Sequence, residues 1–237
     1  MLKTVGLYED VSFRFSQWDP NNTDKYIGTA EQWDEAQGAM ERILKHLGVP
    51  YTVGIDEAAF YGPKLDIQIK NVFGKEDTIV TIQIDMLLAE RFGMYYIDKD
   101  GQKKLPYIIH RTSIGCYERT LALLIEKYAG AFPVWLAPVQ IKLLPIADRH
   151  LDYVYEIKKQ LEANGILRVE VDDRSEKLGY KLREAQLEKV PYMLVVGDKD
   201  IENNTVSVRS RKEGDKGAMA IDEFIKAVKE EIDTKRI

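Results

Sequence analysis

The spacing of apolar residues divides this chain into two stretches of different rhythm. In the first, Val11-Ser12-Phe13-Arg14-Phe15 alternates and predicts a short strand, and Asp19-Pro20-Asn21-Asn22-Thr23-Asp24 is turn-forming. The period then becomes helical: Trp33, Ala36, Met40, Ile43, Leu44 and Leu47 fall on one face. Thr29 with Gln32 predicts a capping box at the start of that helix, and Gly48 with Pro50 predicts its end. Strand patterns return in Lys64–Lys70 and Thr78–Ile84, around a turn within Asn71–Lys75. Another follows at Pro106–His110, after the turn Asp98-Lys99-Asp100-Gly101, and an apolar helix follows Arg119. Strands joined by short turns and closed by helices predict an α+β antiparallel sheet with helices over residues 1–136.

After Pro138 strand and helix alternate. Val139–Ala147 is an apolar strand. Leu151–Asn164 is a helix with Asp148 as cap and Gly165 as stop. Leu167–Val171 is a strand, Leu178–Val190 a helix, Met193–Val196 a buried strand, Thr205–Arg209 an exposed or edge strand, and Ile221–Ile232 a terminal amphipathic helix. This order predicts a three-layer α/β domain with a mostly parallel sheet over residues 139–237. No repeat or low-complexity segment interrupts either stretch.

Composition adds exclusions. The chain has 237 residues, 45% hydrophobic and 31% charged, room for two modest domains. Its single cysteine, Cys116, rules out an internal disulfide and fits a reducing, cytoplasmic setting. No signal-like start and no long apolar run point to export or a membrane. The net charge of −5 argues against a charge-driven nucleic-acid binder but leaves room for a site-specific one. Residues 139–237 hold 19 Lys+Arg against 20 Asp+Glu, a net −1, which leaves −4 for the remainder. Any RNA contact must therefore come from the placement of a few residues.

The richest chemistry lies in His110-Arg111-Thr112-Ser113-Ile114-Gly115-Cys116-Tyr117-Glu118-Arg119. A glycine lets backbone approach a ligand, and an arginine on a packed helix offers a fixed fork for phosphate oxygens. Standing alone, Glu118-Arg119 would more often be a solvated pair at a helix start. The stretch resembles motif 3 of class II aminoacyl-tRNA synthetases, in the form found in threonyl-tRNA synthetases. Two other segments extend the resemblance: Ala58-Ala59-Phe60-Tyr61-Gly62-Pro63-Lys64, and Pro133-Val134-Trp135-Leu136-Ala137-Pro138-Val139-Gln140, similar to the family's junction into its anticodon-binding domain.

The resemblance implies roles. Arg119, Lys64 and Tyr61 take catalytic positions, Arg119 near the ATP γ-phosphate and Lys64 beside a carboxylate or phosphate. Gln83, Ser113, Gly115, Glu118 and Arg119 contact ATP or substrate. Gln83 and Asp85 lie one face apart on a strand, and Gln83 is expected to share a cleft with Tyr61. His110 matches one of three family zinc ligands; its partners would lie before Met1, so zinc retention by this chain alone is not expected. ATP with Mg2+ and one Zn2+ are the family cofactors. Two segments depart from the family pattern: Glu76-Asp77-Thr78 replaces a Glu-Trp-Gln, and Ser16-Gln17-Trp18-Asp19-Pro20 replaces a Ser-Thr-Arg-Pro.

In the second stretch, Pro191–Asp200 and Val206–Arg211 resemble the family's anticodon-reading sheet edge. Lys199, Asp200, Arg209 and Arg211 are expected to cluster at one end of paired strands, a means of reading unstacked bases, and Lys181 is expected to meet phosphate. The whole resembles the C-terminal portion of an enzyme that charges threonine onto its tRNA through an adenylate, with partners ATP, threonine and the tRNA(Thr) anticodon stem-loop, and no membrane. Motifs 1 and 2 are not expected in the chain, so the family homodimer interface and the motif 2 arginine are expected outside it, and the chain alone is expected to be incomplete for catalysis. A free-standing, non-catalytic tRNA-binding module is the alternative. An unrelated nucleotide-binding α/β protein is disfavoured, because no phosphate-loop glycine pattern occurs.

Overall fold

The computed structural model describes residues 1–237, which divide into two compact units, Met1–Lys127 and Tyr128–Ile237. The first unit holds a five-stranded sheet: β1 (Val11–Gln17), β2 (Thr52–Ile55), β3 (Lys64–Lys70), β4 (Glu76–Asp85) and, after a short helical turn α2 (Leu88–Arg91) and a small hairpin β5 (Tyr96–Ile97) and β6 (Lys103–Lys104), β7 (Ile108–Arg111). The order is β2-β1-β3-β4-β7. Only β1 and β2 run parallel. The strand β2 carried no sequence signal beyond four residues and forms the sheet edge.

One face of this sheet is packed by α1 (Ala30–Leu47), which opens on the predicted Thr29–Gln32 capping box. Trp33, Ala36, Met40 and Leu44 bury against Phe15, Leu65 and Ile84. Trp18 stacks on Trp33 at 5.4 Å between ring centroids, and Tyr26 meets Trp33 edge-on. Trp18, in one of the two segments that depart from the family pattern, is therefore a core residue. Ile43 and Leu47, expected on the buried face, are instead exposed. The helix α3 (Tyr117–Tyr128) contributes Leu123 and Leu124 to the interior.

The second unit holds β8 (Ile141–Pro145), α4 (Leu151–Ala163), β9 (Val169–Val171), α5 (Leu178–Leu187), β10 (Tyr192–Val196), a short α6 (Asp198–Asn203), β11 (Thr205–Ser210), β12 (Gly214–Ala220) and α7 (Ile221–Asp233). The sheet order is β12-β11-β10-β8-β9, with β9, β8 and β10 parallel and the last two strands antiparallel. Its main core joins Ile141, Leu143, Leu194, Val196, Val206 and Val208 to Val154, Ile157 and Leu161 of α4 and Phe224, Ile225 and Val228 of α7. Leu144, Met193 and Val195 face the other way, onto Ala185 of α5. Burying a side chain of this kind stabilises by about 1.5–3 kcal/mol each.

Three expectations change here. Thr205–Arg209 is not an edge: β12 pairs beyond it, and Val206 and Val208 are buried, so alternation marked a half-covered interior strand. Asp148 does not cap α4; it opens a single 3-10 turn, and α4 begins after His150 with no side-chain cap. Residues 128–138 belong to the second compact unit. Val134 enters its core, Gln140 Nε2 donates to Val134 O at 3.1 Å, and Arg168 donates to the carbonyls of Ala137 and Trp135 at 2.8 and 2.7 Å.

Candidate active site and RNA face

Register builds the cleft of the first unit. Ser16 pairs with Lys64, Lys64 with Gln83, Asp66 with Thr81, and Gln83 with His110. Side chains alternate along a strand, so these residues share the face turned away from α1. Lys64, Asp66, Thr81, Gln83 and His110 floor an open cavity of about 630 Å³ together with Thr78, Ile79, Arg111, Thr112, Gly115, Cys116 and Arg119.

The floor is a connected polar network. Asp66, buried, accepts from Lys64 Nζ at 2.7 Å, Thr81 Oγ1 at 2.8 Å and Ser16 Oγ at 3.2 Å. Tyr61 Oη donates to Gln83 Oε1 at 2.8 Å, which leaves the Gln83 amide N–H groups for a ligand. His110 Nε2 lies 2.8 Å from Asp85 Oδ2. Burial pushes the Asp85 carboxyl up, but the Leu88 and Leu87 amides and the His110 ring outweigh it and hold it below the usual carboxylate range. With Asp85 ionised, His110 Nε2 carries a ring hydrogen and donates it to Asp85 Oδ2.

Two glycines are required for close approach. A Cβ on Gly62 would lie 1.7 Å from Ile84 O, and one on Gly115, at φ +72°, would lie 1.8 Å from Ile79 O. Gly115 thus serves to seat the loop against β4. Arg119 follows on the first turn of α3 and donates from a terminal nitrogen to Thr78 O at 2.6 Å. The structure brings Tyr61, Lys64, Gln83, His110, Gly115 and Arg119 together. It does not place Ser113 or Glu118 in the cleft lining. Glu118 instead accepts from the Cys116 thiol at 3.0 Å, and that bond, with its own amide, lowers its carboxyl. Asp66 and Thr81 were missed in the sequence, although each stands two residues from a chosen one and alternation puts it on the same face.

No three His, Cys, Asp or Glu side chains come together as a metal set. His110 supplies one imidazole nitrogen, so residues 1–237 do not by themselves fit a zinc site.

In the second unit the expected cluster of four does not form. The strands β10 and β11 do pair, but antiparallel, with Tyr192 opposite Ser210 and Val195 opposite Ser207. Arg211 therefore lies beyond one end of the pair, and Lys199 and Asp200 beyond the other. Arg211 donates to Ala131 O at 3.1 Å, to Phe132 O at 2.6 Å and to Lys189 O, and burial lowers the pKa of its guanidinium. Lys181 is buried, with Nζ on the carbonyls of Asp172 at 3.0 Å and Pro145 at 3.3 Å, so it is turned inward and cannot meet a phosphate. Both cations were misjudged because charge in a sequence does not reveal which carbonyls a fold leaves unpaired. Asp200 is buried as well. It accepts from Gly197 N–H at 2.9 Å, Ser207 Oγ at 3.1 Å and Thr205 Oγ1 at 3.3 Å. Thr205, Ser207 and Arg209 alternate with buried Val206 and Val208, so they share the sheet face on which Asp200 sits. Arg209 pairs with Asp215 of β12 at 2.9 Å, and Lys199 is exposed.

A catalytic-type cleft on an antiparallel sheet and a separate α/β unit with an open strand face match known domains. The tRNA synthetase class II core domain (G, H, P, S and T) matches residues 13–128, and the anticodon binding domain matches residues 134–231. The chain belongs to the class II aminoacyl-tRNA synthetases, in the threonyl-tRNA synthetase family. It is 62% identical over 98% of its length to a threonine--tRNA ligase of Clostridium perfringens, and 46% identical over 97% to one of Clostridioides difficile. It spans 36% of the length of either relative. Among solved structures, the RNA binding domain of threonyl-tRNA synthetase from Cryptosporidium parvum Iowa II superimposes with a TM-score of 0.82 at 29% identity, over 97% of this chain and 56% of that one.

Proposed function

We propose that the chain acts as part of a threonine–tRNA ligase, with ATP and threonine handled at the cleft of the first unit and the anticodon of threonine tRNA read by the second. The observation that supports this best is the convergence of Tyr61, Lys64, Gln83 and Arg119 on one face of a class II core, in a chain that also carries an anticodon-type domain.

In this reading Arg119 binds a phosphate oxygen through donors other than the one on Thr78, and Lys64 stabilises charge on the reacting carboxylate or phosphate. Asp66 holds the Lys64 ammonium and turns the Thr81 hydroxyl hydrogen inward, so Thr81 presents lone pairs to the cleft. Gln83, its carbonyl fixed by Tyr61, offers N–H groups to a substrate oxygen. In the second unit, Arg209 and Lys199 remain the RNA-reading candidates, while Lys181 and Arg211 hold the fold and the buried Asp200 ties the Gly197 turn to β11.

Binding of the anticodon stem-loop of threonine tRNA, compared with one of swapped anticodon, tests the second half. Preference for the cognate loop is expected, and equal affinity would refute it. For the first half, Arg119→Ala should abolish most ATP binding at the cleft, read by nucleotide titration; unchanged affinity would remove Arg119 from the site.

A further inference from the structure

The order of the second sheet reverses at β8, which has β9 on one side and β10 on the other. In open α/β sheets the crevice beyond the carboxyl ends of two such strands is a ligand-binding place. Here it is bridged by a polar cluster that the residues assigned above do not include. His150 is fully buried. Its Nδ1 accepts from Ala147 N–H at 3.1 Å, which places the ring hydrogen on Nε2, and Nε2 lies 2.9 Å from Asp198 Oδ1. Asp198 also accepts from Arg149, from Nε at 2.9 Å and a terminal nitrogen at 2.6 Å. Arg149 foremost, then His150, hold the Asp198 carboxyl well below the usual carboxylate range.

Asp198 opens the short helical turn of α6. Two residues on, Asp200 reaches back to Gly197 N–H and across to Thr205 and Ser207 of β11. Contacts therefore run from the β8 exit loop, through Asp198, to Asp200 and the β11 face that carries Arg209. A buried imidazole with both nitrogens committed is a stiff tie, and an exposed ion pair alone contributes little to stability. Its consequence is geometric: it fixes where the Gly197–Asp200 turn stands against β11.

We propose that His150 and Asp198 are positioning residues for RNA recognition, setting the Gly197–Asp200 turn, and with it the exposed Lys199, against the β11 strand that carries Ser207 and Arg209. The inference rests on the RNA-reading assignment above. A tie that only stabilises the loop would change melting temperature and leave base discrimination alone.

The test uses the full chain with His150→Leu, His150→Gln and Asp198→Ala. Leucine fills the buried space but makes neither bond, whereas a glutamine amide accepts from one side and donates to the other. Two readouts are taken: affinity for cognate and anticodon-swapped stem-loops, and amide shifts of Gly197, Asp200 and Ser207. His150→Leu and Asp198→Ala should each lose roughly tenfold in the cognate-to-swapped ratio, about the value of one weakened base contact. Their Asp200 and Ser207 amides should shift, and His150→Gln should retain both properties. If His150→Leu does not fold, Asp198→Ala decides, since Asp198 is exposed. An unchanged ratio, unmoved amides or failure of glutamine to rescue overturns the proposal. Equal binding of both loops by the unaltered chain would instead sink the RNA-reading assignment, and the recognition role with it.

Discussion

The central strands β8 and β10 of the second unit are covered on both faces, by α4 and α7 on one side and α5 on the other. The first unit covers one sheet face with α1 and leaves the other as an open polar cleft. The large exposed apolar side chains also crowd into the first unit: Val53 and Ile55 on the edge strand β2, then Phe92, Tyr95, Ile97, Leu105 and Ile109 around the β5–β6 hairpin. A sheet covered on both faces encloses its own core, whereas a one-faced sheet keeps polar groups accessible at the expense of self-sufficiency.

The sharpest way to break this comparison is to separate the units. Residues 128–237 should fold alone, and limited proteolysis should leave a resistant fragment beginning near Tyr128. Starting at 139 instead would strip the carbonyls held by Arg168 and Arg211 and the burial of Val134. That fragment should melt about 10 °C lower or more, given several degrees per kcal/mol in a domain of this size. Earlier cleavage inside the second unit than in the first would reverse the ranking.

Single substitutions should follow burial within each unit. Gly115→Ala should cost upward of about 3 kcal/mol, because its methyl group would strike Ile79 O at a positive φ. Leu194→Ala, in the middle of the second core, should cost about 2–5 kcal/mol. Leu47→Ala, at an exposed position that helical spacing alone would bury, should stay within about 0.5 kcal/mol. Chemical denaturation of each variant supplies the ranking, and a large loss at Leu47 would mean that face is covered.

Lys181→Ala should destabilise by about 2–4 kcal/mol, since two buried carbonyls lose their donor. It should leave the salt dependence of RNA binding unchanged, in contrast to a phosphate contact. A flattened salt slope in this variant would restore Lys181 as a phosphate ligand.

A smaller effect than that at Lys181 concerns pH. Arg174 donates to both Asp172 oxygens, at 2.8 and 2.6 Å, and lowers the folded carboxyl against the opposing effect of burial. A depressed folded pKa contributes stability above the unfolded value, near 4, that is lost as pH falls through the folded one. Asp172→Asn should therefore cost about 1 kcal/mol at neutral pH and nothing at strongly acidic pH. Equal losses at both would assign Asp172 a packing role.

Much of this division was legible in the residues. The alternation of Lys64–Lys70 and Thr78–Ile84 marked two strands of the first sheet, and the Thr29–Gln32 box marked the start of α1. Local patterns carry that information because they depend on period and capping alone. Less legible were features set by pairing across long distances. The strand β12, rich in glycine and charge, hid the interior position of β11. The antiparallel register of β10 and β11 separates Arg211 from Asp200, although pairing of the two strands was expected to gather them at one end. Lys181 and Arg211 were read as ligands for RNA because the carbonyls that claim them come from residues far along the chain.

The open β11 face is the point at which fold and function meet, and Arg209 tests it most directly. Affinities of the unaltered chain and of Arg209→Ala for cognate and anticodon-swapped stem-loops should be measured at one salt concentration. The unaltered chain should prefer the cognate loop, and Arg209→Ala should weaken cognate binding by roughly 1–3 kcal/mol while the swapped loop changes little. Equal weakening for both loops, or none for either, would contradict the assignment of this face to reading the anticodon.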